Sequence, residues 1–215
     1  MSSSTLRITE IFYSLQGETR TVGLPTVFVR LTGCPLRCGY CDTAYAFSGG
    51  KLYNIDDILN TVASYQAHYV TVTGGEPLAQ PECITLLKKL CDQGYEVSLE
   101  TSGARDIKDV DPRVVIVMDL KTPGSKECEK NLFSNLAYLK PTDQIKFVIC
   151  NREDYEWSKQ QLIEHNLAKR FQVLFSPSYQ ELSATDLAEW ILADRLNVRL
   201  QIQLHKFLWG EKPGV

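Results

Sequence analysis

The chain has 215 residues, 44% hydrophobic and 23% charged, with a formal net charge of −3. That balance excludes a disordered chain, lacks the basic footprint of a nucleic-acid binder, and its strand-length apolar runs are too short for a transmembrane helix. Seven cysteines, an odd number, follow a polar residue 1–10 segment without a signal peptide's apolar stretch, so metal binding or burial in a reducing, cytoplasmic setting is expected in place of a disulfide framework.

The predicted elements alternate. Residues 26–31 (TVFVRL) read as a strand rich in β-branched and aromatic residues. Ile55, Ile58, Leu59 and Val62 then share one helical face behind a possible Asn54 cap. Strand 69–73 (YVTVT) precedes a helix over 82–93, marked by Ile84, Leu87 and Leu90. Strands follow at 96–100, 114–119, 144–149 and 172–176, with helices over 155–166 and 184–195. Residues 198–204 (VRLQIQL) alternate as a last strand would, leaving a short tail. No repeat or linker divides the chain, so one domain over 1–215 is expected, with 198–215 as its C-terminal strand and tail. Strand–helix alternation of this kind predicts a mostly parallel α/β fold, sheet or partial barrel, with ligand sites at the C-terminal ends of the strands.

The first strand runs into Thr32-Gly33-Cys34-Pro35-Leu36-Arg37-Cys38-Gly39-Tyr40-Cys41-Asp42-Thr43, with cysteines spaced C-x3-C-x2-C. Three thiolates from one loop can hold three irons of a cubane cluster and leave the fourth open for a small molecule, as catalytic zinc keeps a free position. A closed zinc site is the alternative. It would need a distant fourth ligand, since Cys83, Cys91, Cys128 and Cys150 form no second close pair and His68, His165 and His205 stand apart. Cys83 and Cys91 read as buried helix residues, and no special role is expected for Cys128 and Cys150.

This cysteine spacing, with an aromatic before the last cysteine, resembles the radical S-adenosylmethionine (SAM) signature, and Gly74-Gly75-Glu76-Pro77 after the second strand resembles that superfamily's SAM-binding motif. The likeness narrows to the 7-carboxy-7-deazaguanine synthase family and runs from Glu10 to Lys206. It is carried by residues 11–18 (IFYSLQGE), Arg30 in an R-x-x-G-C approach, Asp42-Thr43, Thr73 to Pro77, Glu100-Thr101-Ser102-Gly103 and Leu204-His205-Lys206. The resemblance implies an open, partial parallel β/α barrel of about six strands. It implies conversion of 6-carboxy-5,6,7,8-tetrahydropterin to 7-carboxy-7-deazaguanine with loss of ammonia, a step of queuosine-type base biosynthesis, by a homodimer fed electrons by a flavodoxin or ferredoxin. In such enzymes a 4Fe-4S cluster, here on Cys34, Cys38 and Cys41, cleaves SAM to a 5′-deoxyadenosyl radical that takes hydrogen from the substrate.

Carried over residue by residue, Leu15, Gln16, Gly17, Arg30, Thr73 and His205 would meet the substrate. Tyr40, Cys41, Asp42, Gly75, Asp119, Leu120 and Lys121 would meet SAM, and Thr43 would meet Mg2+. Their chemistry agrees: Arg30 can grip a carboxylate through two parallel bonds, Gly75 permits close backbone approach, and a hydroxyl suits a hard cation. Glu76 is expected to meet the methionine amino group, and Ser176-Pro177 to lie near adenine. One departure is Asp119-Leu120-Lys121, where many relatives carry Ser-Pro-Lys. A glycyl-radical activase shares the cluster spacing and is the competing enzyme reading; a non-enzymatic metal-binding domain would leave the Gly-Gly-Glu-Pro motif unexplained. The apolar Phe207, Leu208 and Trp209 predict a tail folded back beside the site, with His205 facing substrate.

Overall fold

A computed structural model describes residues 4–212 and 214. Nine strands make one open sheet: β1 (Thr5–Leu15), β2 (Pro25–Leu31), β3 (Lys51–Asn54), β4 (Tyr69–Gly74), β5 (Glu96–Thr101), β6 (Val115–Asp119), β7 (Gln144–Ile149), β8 (Gln172–Pro177) and β9 (Arg199–Leu200). Their order is β3-β1-β2-β4-β5-β6-β7-β8-β9. From β2 to β9 the neighbours are parallel, whereas β1 runs antiparallel to both β2 and β3. The six strands expected from sequence are all present, and the sheet does not close, as in the partial barrel the resemblance implied.

The helices are α1 (Ile55–Ser64), α2 (Cys83–Asp92), α3 (Arg152–Glu164), α4 (Leu167–Arg170), α5 (Ala184–Ala193) and α6 (Leu204–Trp209). Asn151 caps α3 by accepting from the Asp154 amide at 3.0 Å, which starts that helix earlier than its apolar periodicity suggests. Asn54 occupies the N-cap of α1 in extended backbone but makes no capping bond there.

Strand alternation separates two faces. Val27, Val29, Leu31, Val70, Val72, Val97 and Leu99 bury their side chains against α1 and α2, beside Leu86, Leu87 and Leu90. Ile145, Phe147, Val173 and Phe175 do the same against α3 and α5, with Tyr155 and Leu187. Each such fully buried side chain is worth about 1.5–3 kcal/mol, so this outer layer holds the sheet curved under its helices. The intervening residues, Arg30, Thr71, Thr73, Ser98, Glu100, Asp119, Lys146 and Ser176, belong to the opposite, inner face.

Two regions differ from the sequence reading. β1 and β3 form an antiparallel edge that the polar appearance of residues 1–10 concealed; Leu6 and Ile8 are buried between exposed Thr5 and Arg7. The expected strand over 198–204 shrinks to Arg199–Leu200. The Gln201 amide makes one more bond, to the Phe175 carbonyl, and then the Leu204 amide bonds the Gly17 carbonyl at 2.9 Å, turning the chain out of the sheet and into α6. Residues 1–3, Pro213 and Val215 of the expected span lie outside the described residues.

Candidate active site

The C-terminal ends of β2, β4, β5, β6 and β8 surround one cavity of about 620 Å3, into which residues of the cysteine loop also project. Cys34, Cys38 and Cys41 are free thiols, half-buried in its wall. Burial raises all three, Cys38 to about 11, so the loop without metal favours neutral thiols and a bound cation would draw off their protons. Among the described residues no three His, Cys, Asp or Glu side chains converge on one ion. Three thiols on one loop offer one ligand to each of three irons of a cubane cluster.

Gly75 sets the distance between the cysteine loop and β4. A Cβ there would lie 2.3 Å from the Gly33 carbonyl oxygen and 2.8 Å from the Cys34 Cβ, so only glycine allows this approach. The Gly75 and Glu76 amides seal the contact by bonding the Leu31 and Gly33 carbonyls at 3.1 and 2.8 Å. Glu76 does not face the cavity. It is fully buried and accepts from the Leu78 amide, the Ser102 amide and the Thr101 and Ser102 hydroxyls, bracing the β4 turn against the end of β5. The expected contact of Glu76 with the methionine amino group is therefore corrected: the motif's glutamate is structural, and Thr101-Ser102 serve it.

On the far side of the loop, the Lys121 ammonium pairs with Asp119 at 2.8 Å and lies 5.7 Å from the centre of the Tyr40 ring. Burial opposes the Lys121 charge, but Asp119 and its neighbours outweigh it and hold the amine well above its usual range. The Tyr40 hydroxyl and the second Asp119 oxygen are buried without any partner, an arrangement that costs stability unless a bound group completes it. Both residues line the cavity. Leu120 does not: its side chain is fully buried in the outer core and its amide bonds the Lys146 carbonyl at 2.9 Å, so no side-chain contact with SAM is available to it. Ser176 and Pro177 line the cavity.

Arg30 and Thr73 are register partners on β2 and β4. Thr73 donates to Glu100 at 3.0 Å, and Gln16 reaches the other Glu100 oxygen at 3.4 Å and Thr71 at 3.1 Å. Burial first, and Glu18 second, push the Glu100 carboxyl up. Lys146 pairs with Glu18 across the cavity wall. The Gln16 backbone is consumed by Leu24 and Gly23, at 2.9 and 2.8 Å, which leaves its buried side chain as its contribution to the wall beside Leu15. Gly17 packs under His205, where a Cβ would fall 2.2 Å from Nδ1. Burial lowers the His205 pKa and so favours neutral imidazole.

The tail joins the site through its polar residues and its last turn, not through its apolar side chains. Gln203 bridges Glu18 and Asp42 at 3.0 and 3.1 Å, and His205, Lys206 and residues 210–212 line the cavity. Phe207, Leu208 and Trp209 stay 81%, 45% and 38% exposed, so the expectation that these apolar side chains are covered fails for all three. Thr43 donates to Asp42 at 2.7 Å at the cavity mouth. Burial raises the Asp42 carboxyl, but Thr43, Lys206, Lys146 and Gln203 prevail and hold it below its usual range. Sequence reasoning gave no role to Glu18, Glu100 or Lys146. Two of these were visible within the quoted motifs, while Lys146 offered only its place in an apolar strand.

Parallel strands ending around a three-cysteine loop and a Gly-Gly turn define a radical SAM enzyme, and the model of the Radical SAM superfamily matches residues 28–124. The 7-carboxy-7-deazaguanine synthase of Chlorobaculum tepidum is 44% identical to this chain, covering 95% of it and 94% of the relative. That of Koribacter versatilis is 41% identical over 98% and 100%. The crystal structure of QueE from Escherichia coli shares the fold, with a TM-score of 0.76 and 24% identity over 93% of this chain and 94% of that one. The chain belongs to the 7-carboxy-7-deazaguanine synthase family, and membership brings a 4Fe-4S cluster and SAM as cofactors. No described helix is long and apolar enough to cross a membrane.

Proposed function

We propose that this chain, acting as a single radical SAM domain over residues 1–215, converts 6-carboxy-5,6,7,8-tetrahydropterin to 7-carboxy-7-deazaguanine with release of ammonia. The observation that carries the proposal is the shared cavity. Its volume suits a cofactor and a bicyclic substrate together, and its wall changes from thiols through an unpartnered hydroxyl and carboxylate oxygen to a polar network around Glu100.

Cys34, Cys38 and Cys41 hold the cluster. Tyr40, Cys41, Asp42, Gly75, Asp119 and Lys121 hold SAM, with Leu120 supplying backbone only. The free Asp119 oxygen suits a ribose hydroxyl, and Gly75, which lines the cavity, brings the β4 turn against the cysteine loop so that both face one cofactor. When bound, the cluster and SAM supply a 5′-deoxyadenosyl radical that takes hydrogen from the substrate. The chain's own residues then orient that substrate. Arg30 grips the carboxylate, Thr73, Gln16 and Leu15 shape the ring's berth, and His205 closes it over Gly17 in its neutral form. Thr43, next to Asp42 at the mouth, offers a hard oxygen to Mg2+, whose remaining ligands would be waters and substrate oxygens. A homodimer reduced by a flavodoxin or ferredoxin completes the reading.

The test is anaerobic cluster reconstitution followed by incubation with reductant, SAM and the carboxytetrahydropterin. Equimolar 7-carboxy-7-deazaguanine and ammonia are expected. SAM cleavage without either product would overturn the substrate assignment, and a glycyl radical raised on an added partner protein would support the activase instead.

A further inference from the structure

Arg30 is already engaged within the protein. Glu10, its register partner across the antiparallel β1–β2 pair, accepts from the Arg30 Nε at 2.7 Å. The same Glu10 oxygen accepts from the Tyr45 hydroxyl at 2.8 Å. The guanidinium carbon lies 5.8 Å from the Phe12 ring centre and 5.9 Å from that of Tyr45, so two aromatic rings flank it. The Arg30 and Glu10 side chains are 16% and 23% exposed. Neither Nη of Arg30 has a hydrogen-bond partner among the described residues, and Arg30 lines the cavity. The chain's end passes the same place, because a Cβ on Gly214 would meet the second Glu10 oxygen at 3.5 Å.

We propose that Glu10 and Tyr45 are positioning residues that lock Arg30 through its Nε and present its two Nη groups as a fork for the substrate carboxylate. This deepens the pterin reading above and rests on it. A free arginine would meet a carboxylate through any of its edges and would lose rotamer freedom on binding. Here one edge is filled, the ring faces restrict rotation, and the remaining edge matches two parallel acceptors. Glu10 also cancels the Arg30 charge, so the berth selects an anion by donor geometry more than by net potential.

The test is binding without turnover. Cluster-loaded protein with SAM and no reductant is titrated anaerobically with two fluorescent, unreactive ligands, 6-carboxypterin and pterin, which differ only in the carboxylate. The ratio of their affinities isolates the fork from any general weakening of the site. Glu10→Ala should lower the preference for the carboxylated ligand roughly tenfold, the size expected for a charge-assisted bond losing its alignment. Tyr45→Phe should lower it less. Glu10→Gln should keep most of it, since the amide oxygen still accepts from Nε. Tyr45 is half-exposed, so Tyr45→Phe keeps the test open should Glu10→Ala fold poorly. A wild-type ratio in both Glu10→Ala and Tyr45→Phe would overturn the proposal. Wild-type protein that binds both ligands equally would remove the clamp itself, and wild-type protein that binds neither would remove the pterin reading with it.

Discussion

Glu76→Gln is the most informative single change to the scaffold, because it alters one atom and almost no volume. Every partner of Glu76 is a donor. One oxygen accepts from the Leu78 amide at 3.0 Å and the other from the Ser102 amide at 2.7 Å. The Thr101 hydroxyl lies 2.9 and 3.0 Å from the two oxygens. Whichever way a glutamine turned, its NH2 would face a backbone N–H. One charge-assisted bond is lost and one buried donor is left opposed, a cost of about 3 kcal/mol. For a chain of this length each kcal/mol moves the midpoint roughly 2–4 °C, so a fall of about 6–12 °C is expected. Thermal unfolding of the metal-free protein, followed by circular dichroism, measures it. The variant should also load less cluster, since the Glu76 amide bonds Gly33 beside the first cysteine. A shift under about 2 °C with full iron content would refute the reasoning that Glu76 braces the turn.

Cys34→Ala, Cys38→Ala and Cys41→Ala should each abolish stable 4Fe-4S loading; iron and sulfide analysis checks this, and full loading in any one would remove that ligand. Gly17→Ala should raise KM more than it lowers kcat, because its Cβ would displace His205 and the tail that Gly17 anchors. Arg30→Lys should lower kcat/KM by about 2 kcal/mol, roughly thirtyfold, as lysine cannot serve Glu10 and a bidentate carboxylate together. Unchanged kinetics would exclude the clamp. Thr43→Ala should blunt the response of turnover to Mg2+ without abolishing activity, and superimposable magnesium titrations of the two proteins would argue against Thr43 as a ligand.

The parallel strands were legible because each is a short β-branched run bounded by turns, and a parallel strand covered on its outer face keeps that signal. β1 was less so. Its first half alternates in Thr5-Leu6-Arg7-Ile8, but a register shift between Ile8 and Glu10 breaks the period before the second half reaches the cavity wall. Residues 198–204 misled for the opposite reason: the alternation is real, yet the Leu204 amide finds its partner in Gly17, a contact that no local pattern encodes. At the site, the cysteine spacing placed Cys34, Cys38 and Cys41 in one wall because a short loop can do little else. Glu76 and Leu120 sat within the same motifs and turned away from the cavity. Motif membership fixes which backbone segments meet, whereas strand alternation and hydrogen-bond demand decide where each side chain points. The Glu10–Arg30 pair, 20 residues apart, required the antiparallel edge that was not foreseen.

The central claim is that the thiol loop and the Arg30–Thr73–Glu100 wall act on one substrate within one cavity. Transfer of label tests it most directly. Reconstituted enzyme is given SAM, reductant and carboxytetrahydropterin deuterated at its reduced ring carbons, and the 5′-deoxyadenosine is analysed by mass. Because loss of ammonia is redox-neutral, the hydrogen taken must be returned, so deuterium is expected both in 5′-deoxyadenosine and in the recovered SAM, together with labelled or partly labelled 7-carboxy-7-deazaguanine. Formation of 5′-deoxyadenosine that remains free of deuterium, with the pterin recovered intact, would contradict it.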